Sequence, residues 1–348
     1  MKKILLLLLF LFKINTFSAV NVALFTPREE NDMFFQPLID FMSIAGKQFD
    51  MNIYPFFAKS NQALMIKQVE EAATSKFYDI LVFINYKKQA KTALKIAENN
   101  KKPIFIMNSG IIDKTDVGIP GEKYKYWIGE MTPDDEEAGY LLMDYLYKKF
   151  SEDNKTSPKI LAINGISIDF AAIEREKGLK RYQREKGIDI LQIVNADWVP
   201  AIAKAKFLYL SKNRYDNIDI VWCASDGMGI GVVDAIEENN LDIKYVGGVD
   251  WSFEGLNAVK NNRLTATVGG HFMEGAWVVA IIFDYIKGIK DETPVYKSKM
   301  YLINKENYNE YMKKIDRKYW DTIDFRKYSK YYNKKLKKYN FDYLELKK

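Results

Sequence analysis

The chain is poor in the residues that most often carry catalysis and metal binding. It has one cysteine, Cys223, and one histidine, His271, among 348 residues. A single thiol cannot build a disulfide framework, and with one imidazole it is too little for a zinc cluster. The sequence contains no G-x-x-x-x-G-K-[ST] phosphate loop, no G-x-S-x-G elbow and no H-E-x-x-H helix. What it has in quantity is apolar: 48% of residues are hydrophobic, enough for a large core and against wholesale disorder. The length suits about two domains.

Charge is also scarce where a nucleic-acid surface would need it. The net +6 is concentrated at the two ends. Three lysines fall within residues 1–13, and residues 299–348 hold 15 Lys and Arg against 7 Asp and Glu, leaving residues 20–298 at net −5. An acidic body argues against a nucleic-acid partner. The N-terminus, Met1-Lys2-Lys3 followed by an apolar run over 4–12, has the form of a secretory signal. The run is too short to span a bilayer. Thr16 and Ser18 fit a cut after Ser18, with Ala19 as the alternative, and no cysteine follows to carry a lipid. The expectation is a leader over 1–19, export to the periplasm and no lipid anchor. The basic end is also rich in tyrosine, with nine of the chain's 23 in residues 299–348. Two readings stand there: a wrapping extension over 306–348 whose lysine heads stay in water, or a docking face for a membrane protein or an anionic lipid surface.

Between the ends, short apolar runs alternate with longer amphipathic segments. Strands are expected over 22–26, 52–57, 80–85, 104–108, 126–130, 160–165, 190–195, 218–225, 245–250 and 265–269. Continuous runs such as Ile80-Leu81-Val82-Phe83-Ile84 mark strands buried on both faces, hence a parallel sheet covered by helices. Leu64, Ile66, Val69 and Ala73 recur at helical spacing within 61–75. Thr132-Pro133-Asp134-Asp135 reads as a helix start, with Thr132 as N-cap and Pro133 at the first helical position. The acids over 134–137 fit either the dipole of that helix or a cation site. The βαβ rhythm holds too many strands for one core, so the fold class is α/β with two doubly wound parallel-sheet lobes and ligand at the strands' carboxyl ends.

Three features have competing readings. Asp226-Gly227-Met228-Gly229-Ile230-Gly231 follows a strand and has Asp250 downstream, as a dinucleotide loop would, but its G-x-G-x-G spacing also suits close helix–sheet packing. Cys223 lies in an apolar run and reads as an inert core thiol rather than a nucleophile. His271 follows a strand end, where a ligand-facing role and a structural one are both open.

The stronger signal is recurrence. Polar and aromatic residues follow strand after strand: Asp32, Phe34 and Phe35; Asn85; Asn108 and Ser109; Arg175; Asp197 and Trp198; Ser225 and Asp226; Asp250 and Trp251; Gly270 and His271. Carboxylates, amides and a guanidinium bond to several hydroxyls, and flat rings stack on the apolar face of a sugar.

These residues resemble the type I periplasmic binding proteins, in the sugar-binding group that includes ribose- and galactose-binding proteins, over roughly residues 20–305. Asp32-Met33-Phe34-Phe35 is similar to the family's N-P-F-F segment, and Ile80–Asn85 to its buried strand ending in a ligand-facing Asn. Pro103–Asn108 resembles the strand that ends in an Asp-Arg sugar clamp, and 171–178 the A-x-x-R-x-x-G helix start, in which Arg175 would bind hydroxyls. Ala196-Asp197-Trp198, Ala224-Ser225-Asp226 and Gly247–Asp250 resemble the stacking aromatic, the second-lobe N-D and the G-x-D segments. The stretch 269–275 is similar to an uncharacterised subgroup of these proteins. The departures are Asp32 for Asn, Asn108-Ser109 for the Asp-Arg clamp, Ser225 for Asn and Gly270 for Gln, which point to a modified sugar, a nucleoside or a furanosyl signal.

The resemblance implies three interlobe crossovers. The first lobe would comprise 20–130 with about 271–292, and the second 131–270 with about 293–305, closing like a hinge on the ligand. The implied binding set is Asp32, Phe34, Phe35, Asn85, Asn108, Ser109, Arg175, Trp198, Ser225, Asp226, Asp250, Trp251 and His271. No catalytic residue, cofactor or metal is expected, and the chain is expected to be a monomer. Its partner would be an ABC permease or, alternatively, a membrane histidine kinase or chemoreceptor. An enzyme is disfavoured because the strand ends offer no nucleophile–base pair.

Overall fold

The computed structural model describes residues 19–153, 156–292 and 294–342, so apart from Ala19 the expected leader lies outside the described residues. Two six-stranded sheets organise the chain. The first runs β2 (Met51–Phe57), β1 (Val20–Thr26), β3 (Ile80–Phe83), β4 (Ile104–Met107), β5 (Trp127–Pro133), β11 (Val295–Ser298), all parallel. The second runs β7 (Ile190–Asn195), β6 (Ile160–Asn164), β8 (Ile220–Cys223), β9 (Tyr245–Asp250), β10 (Ala266–Gly269) in parallel. It ends on β12 (Tyr301–Asn304), antiparallel to β10.

The continuous apolar runs do what their pattern requires. In β1, Val22 and Leu24 enter a core with Leu38, Phe41 and Met42 of α1 (Phe35–Gln48). The intervening Ala23 and Phe25 enter a separate core with Met65 and Val69 of α2 (Gln62–Thr74) and Leu94 of α3 (Ala90–Asn99). Alternate side chains thus serve opposite faces, and each fully buried Val, Leu, Phe or Met contributes about 1.5–3 kcal/mol. Asn61 caps α2 through a 3.0 Å bond from the Leu64 amide. In the second lobe α4 (Asp135–Asp153) packs on α5 (Phe170–Lys186), and α6 (Pro200–Asn213) on α7 (Asp226–Glu238). The α4–α5 approach requires glycine: a Cβ on Gly139 would lie 2.0 Å from the Arg175 carbonyl oxygen, and one on Gly178 1.9 Å from that of Glu136.

Two expectations are corrected, and the glycine run falls to its packing reading. Thr132 and Pro133 end β5 rather than start a helix, because pairing with Lys297 and Ser298 of β11 holds them extended. Asp134 takes the capping role instead, accepting from the Glu137 amide at 3.4 Å. The glycine run 227–231 lies inside α7, where Gly231 lets Pro200 approach: a Cβ there would meet the Pro200 oxygen at 2.3 Å. The lobe boundary near 293 is misplaced. Residues 295–298 join the first sheet as β11, and the chain crosses to β12 of the second within Lys299-Met300.

The other two crossings lie at Asp134, between β5 and α4, and at Gly270–Met273, between β10 and α9 (Glu274–Ile286). Helix α9 returns to the first lobe and packs on α1. The C-terminal extension is a wrapping segment that touches both lobes. Its helix α10 (Tyr308–Ile315) sits on β12 and on α8 (Phe253–Lys260), with Tyr311 edge-on to Trp251 at 5.4 Å. Trp320, fully buried, then stacks between Phe253 at 6.0 Å and Phe272 at 5.3 Å while meeting Phe41 edge-on. Among the described residues, no helix is long and apolar enough to cross a membrane.

Candidate ligand-binding cleft

A cavity of about 280 Å³ lies between the lobes at the carboxyl ends of the strands, the place a doubly wound sheet reserves for ligand. The first lobe builds its wall from the β1–α1 turn. The Asp32 Oδ1 accepts from the amides of Phe34 and Phe35, both at 3.0 Å, and so starts α1 and fixes both rings. The rings meet edge-on at 5.0 Å, and Phe34 stacks on His271 at 4.5 Å. From the second lobe Trp198 faces them, packed on Gly165 so closely that a Cβ there would lie 2.1 Å from the indole.

Arg175 organises the polar floor. The glycine-mediated approach of α4 and α5 sets it beside Asp135, which its Nε reaches at 2.7 Å. Its Nη1 donates to the Ala224 carbonyl at 2.6 Å and to Asp250 at 3.1 Å, and its Nη2 lies 3.3 Å from His271 Nε2. A guanidinium only donates, so Nε2 is the acceptor and the histidine proton sits on Nδ1, which is buried without a protein partner. Burial and then the Arg175 charge hold the His271 pKa well below its ordinary value, so the ring is neutral. Burial pushes Asp250 well above the usual carboxylate range, against the pull of Arg175. Glu274, likewise raised by burial, accepts from Ser298 at 2.6 Å and from Asn108 at 3.5 Å. It thereby ties two crossovers to the cavity wall.

Of the thirteen residues named from the sequence, the structure brings eleven together around this cavity. Two do not reach it. Asp226 is fully buried behind the wall, accepting from Thr267 at 2.6 Å and from the amide and hydroxyl of Ser252. Burial raises its pKa to about 6. Trp251 is buried against Gly269 and donates to the Thr267 carbonyl at 3.3 Å. Asp226 is thus spent on Thr267 and Ser252, and Trp251 on β10 and Tyr311 of the extension. Asn85 lines the cavity, but its amide is spent on main chain: Nδ2 on the Gly110 carbonyl at 2.6 Å and Oδ1 on the Ala90 amide at 2.8 Å. Ser109 donates to the Asn85 carbonyl, and Ser225 caps α7 through the Met228 amide.

Sequence reasoning missed Arg28 and Asp169. Asp169 precedes α5 and reads as an ordinary N-cap, yet it makes no capping bond. Its Oδ2 holds the Trp198 indole at 3.0 Å, and its Oδ1 accepts from the Lys87 amide of the opposite lobe at 3.0 Å. Arg28 also crosses, from Nη2 to the Asp197 carbonyl at 3.1 Å. Lys87, Asp197 and Trp198 all hold left-handed backbone (φ +46°, +55°, +63°) at this closure line. Among the described residues, no group of three or more His, Cys, Asp or Glu side chains is placed to hold a metal ion. Cys223 is buried in β8, and burial drives its thiol pKa up.

Two mainly parallel sheets, three crossovers and a cleft bridged by hydrogen bonds from lobe to lobe define a two-lobed binding protein with its lobes in contact. Residues 22–290 match the family described as periplasmic binding protein domain, and the chain belongs to that family of solute-binding proteins. Ribose import binding protein RbsB of Salmonella typhimurium is 22% identical over 241 residues, 68% of this chain and 75% of that protein. Among solved structures, a periplasmic sugar-binding protein from Pseudomonas fluorescens is 24% identical with a TM-score of 0.80, covering 93% of this chain and 97% of its own. The binding protein of the arabinose ABC transporter from Shewanella sp. ANA-3, bound to α- and β-L-arabinofuranose, is 19% identical with a TM-score of 0.72, covering 86% and 96%. These similarities bear out the α/β, two-lobed fold read from the sequence.

Proposed function

We propose that the chain is exported to the periplasm, closes on one small, uncharged, carbohydrate-like molecule and presents it to an ABC permease. The observation that carries this reading is the cavity wall. Phe34 and Phe35 on one lobe face Trp198 on the other, with Asp250, Arg175, Asn108 and His271 between them. Opposed rings suit the faces of a sugar ring, and the polar set suits its hydroxyls. Arg175, the buried cation, already faces two carboxylates. A ligand carboxylate or phosphate would therefore find that charge already compensated, while Arg28 at the cleft edge is engaged by the Ser60 hydroxyl and the Asp197 carbonyl. The sugar relatives support the class, and the arabinofuranose complex of the Shewanella protein favours a furanose form. The cleft shows no activated nucleophile: His271 Nε2 is engaged by Arg175, and the serines bond main chain. Binding without turnover is the consequence. The extension across both lobes favours a second reading of the partner, a membrane sensor protein in place of the permease.

A thermal-shift screen over pentoses, hexoses, myo-inositol and nucleosides tests the ligand class. A true ligand at about 100 times its Kd adds about 2.7 kcal/mol of stability. A shift with amino acids or peptides and none with any sugar would overturn the carbohydrate reading.

A further inference from the structure

The C-terminal extension carries a feature that the ligand cleft does not use. After Trp320 the chain runs along the outer side of the first lobe to the end of α9 farthest from the cleft. There the buried Asp284 accepts from the Ser329 hydroxyl, the Lys330 and Tyr331 amides and the Tyr339 hydroxyl. Tyr332 stacks on Phe283 at 5.2 Å, and Phe49 closes the same cluster. The turn is thus held by a carboxylate and by ring packing, and it gathers apolar and basic side chains on its outer side. Ile286, Tyr331 and Tyr332 are 37%, 39% and 49% exposed at one helix end. Lys287 and Lys334 lie over the Tyr331 ring at 5.6 and 4.7 Å. Lys334, Lys335, Lys337 and Lys338 are exposed, and among the described residues none of them has a carboxylate within 4.0 Å.

We propose that this pole of the first lobe, Ile286, Tyr331 and Tyr332 ringed by Lys287 and the 334–338 lysines, docks on an anionic phospholipid bilayer. Tyrosine and isoleucine enter the headgroup region, where a ring with one wet end is at home. The lysines meet lipid phosphates, each contributing about fivefold to partitioning. The charge distribution supports one orientation: the body is net −5, whereas residues 326–342 hold seven Lys and Arg against Asp342, so an anionic surface attracts this pole most strongly. The cleft lies at the other end of α1 and α9, so docking leaves it open to ligand.

The test is vesicle co-sedimentation of the chain from Val20 onward, which retains both sheets and the extension. The probes are phosphatidylcholine vesicles with about one third phosphatidylglycerol, and pure phosphatidylcholine vesicles. Binding is expected only to the anionic vesicles. It should collapse between about 0.05 and 0.5 M salt, as the screening length falls below the reach of the lysines. Replacing Lys334, Lys335, Lys337 and Lys338 together by Glu should weaken it by more than about a hundredfold. Thermal unfolding checks that this variant is folded, and the corresponding four-Gln variant, which adds no new repulsion, serves if it is not. Equal binding to both vesicles, no binding to either, or binding unchanged in the folded variants would each overturn the proposal. An acidic protein partner would show itself as the second of these outcomes. The sugar screen is a separate readout, so failure of either reading leaves the other measurable.

Discussion

Asp169 offers a direct test of how the cleft closes. One of its oxygens bonds the Trp198 indole within its own lobe, and the other accepts the Lys87 amide from the opposite lobe. Only the second bond depends on closure. Replacing Asp169 by Ala should therefore cost the closed state one hydrogen bond to a carboxylate, about 1.5–3 kcal/mol, beyond any cost shared by open and closed forms. Since ligand binds the closed form, affinity should fall by about 10- to 150-fold. Calorimetric titration with a ligand found in the sugar screen measures this, with Asp169→Asn as the control. That control keeps one oxygen to accept the Lys87 amide, loses the acceptor for the indole and leaves the Trp198 ring in place, so the affinity ratio between the two variants isolates the latch. If Asp169→Ala binds within twofold of the parent chain, the crossing bond contributes nothing to closure and the reasoning fails. An equal loss of stability in the ligand-free protein would also refute it, because the bond would then be holding the second lobe together rather than joining the two.

Other outcomes follow from the same geometry. Arg175→Ala leaves Asp135 and Asp250 buried without their cation and should cost about 3–5 kcal/mol in urea unfolding, with ligand binding lost; a loss below about 1 kcal/mol would show that both carboxyls are already neutral. His271 has a lowered folded-state pKa, so the unfolded chain takes up its proton first as pH falls below about 6.5. Stability of the parent chain relative to His271→Gln should then drop by about 1.4 kcal/mol per pH unit below that point, and a flat difference between pH 7.5 and 5 would contradict a buried neutral ring. Gly139→Ala puts a methyl 2.0 Å from the Arg175 carbonyl oxygen, so it should cost about 1–3 kcal/mol or more and weaken ligand binding by displacing that side chain; unchanged melting would mean that α4 and α5 separate freely.

Much of the architecture was legible because parallel strands announce themselves. Ile80–Phe83 and Ile104–Met107 are buried on both faces, and nothing but a covered sheet explains such runs. The strands that escaped, Val295–Ser298 and Tyr301–Asn304, lie at sheet edges and are partly exposed, so their apolar pattern is broken. The lobe boundary went with them, since only the sheet pairing shows which side β11 belongs to. Within the site, strand-end position brought eleven residues to one cavity but could not separate Asp250 from Asp226. Both are buried acids after strands, and they differ in which way the backbone turns: Asp250 has φ +141°, while Asp226 opens a helix. Asp169 was missed for the converse reason, because its sequence context is that of a helix cap and its partners lie 82 residues before and 29 after it.

The buried thiol of β8 has a practical side. Cys223 is the chain's only cysteine, fully enclosed and held in its protonated form by burial, so thiol-directed reagents find no site on the native surface. A cysteine placed at Lys88, exposed beside the Lys87–Asp169 bridge, would then be the sole point of attachment for a dye. With no background labelling to remove, the folded chain becomes an optical sensor whose signal is the meeting of its two lobes.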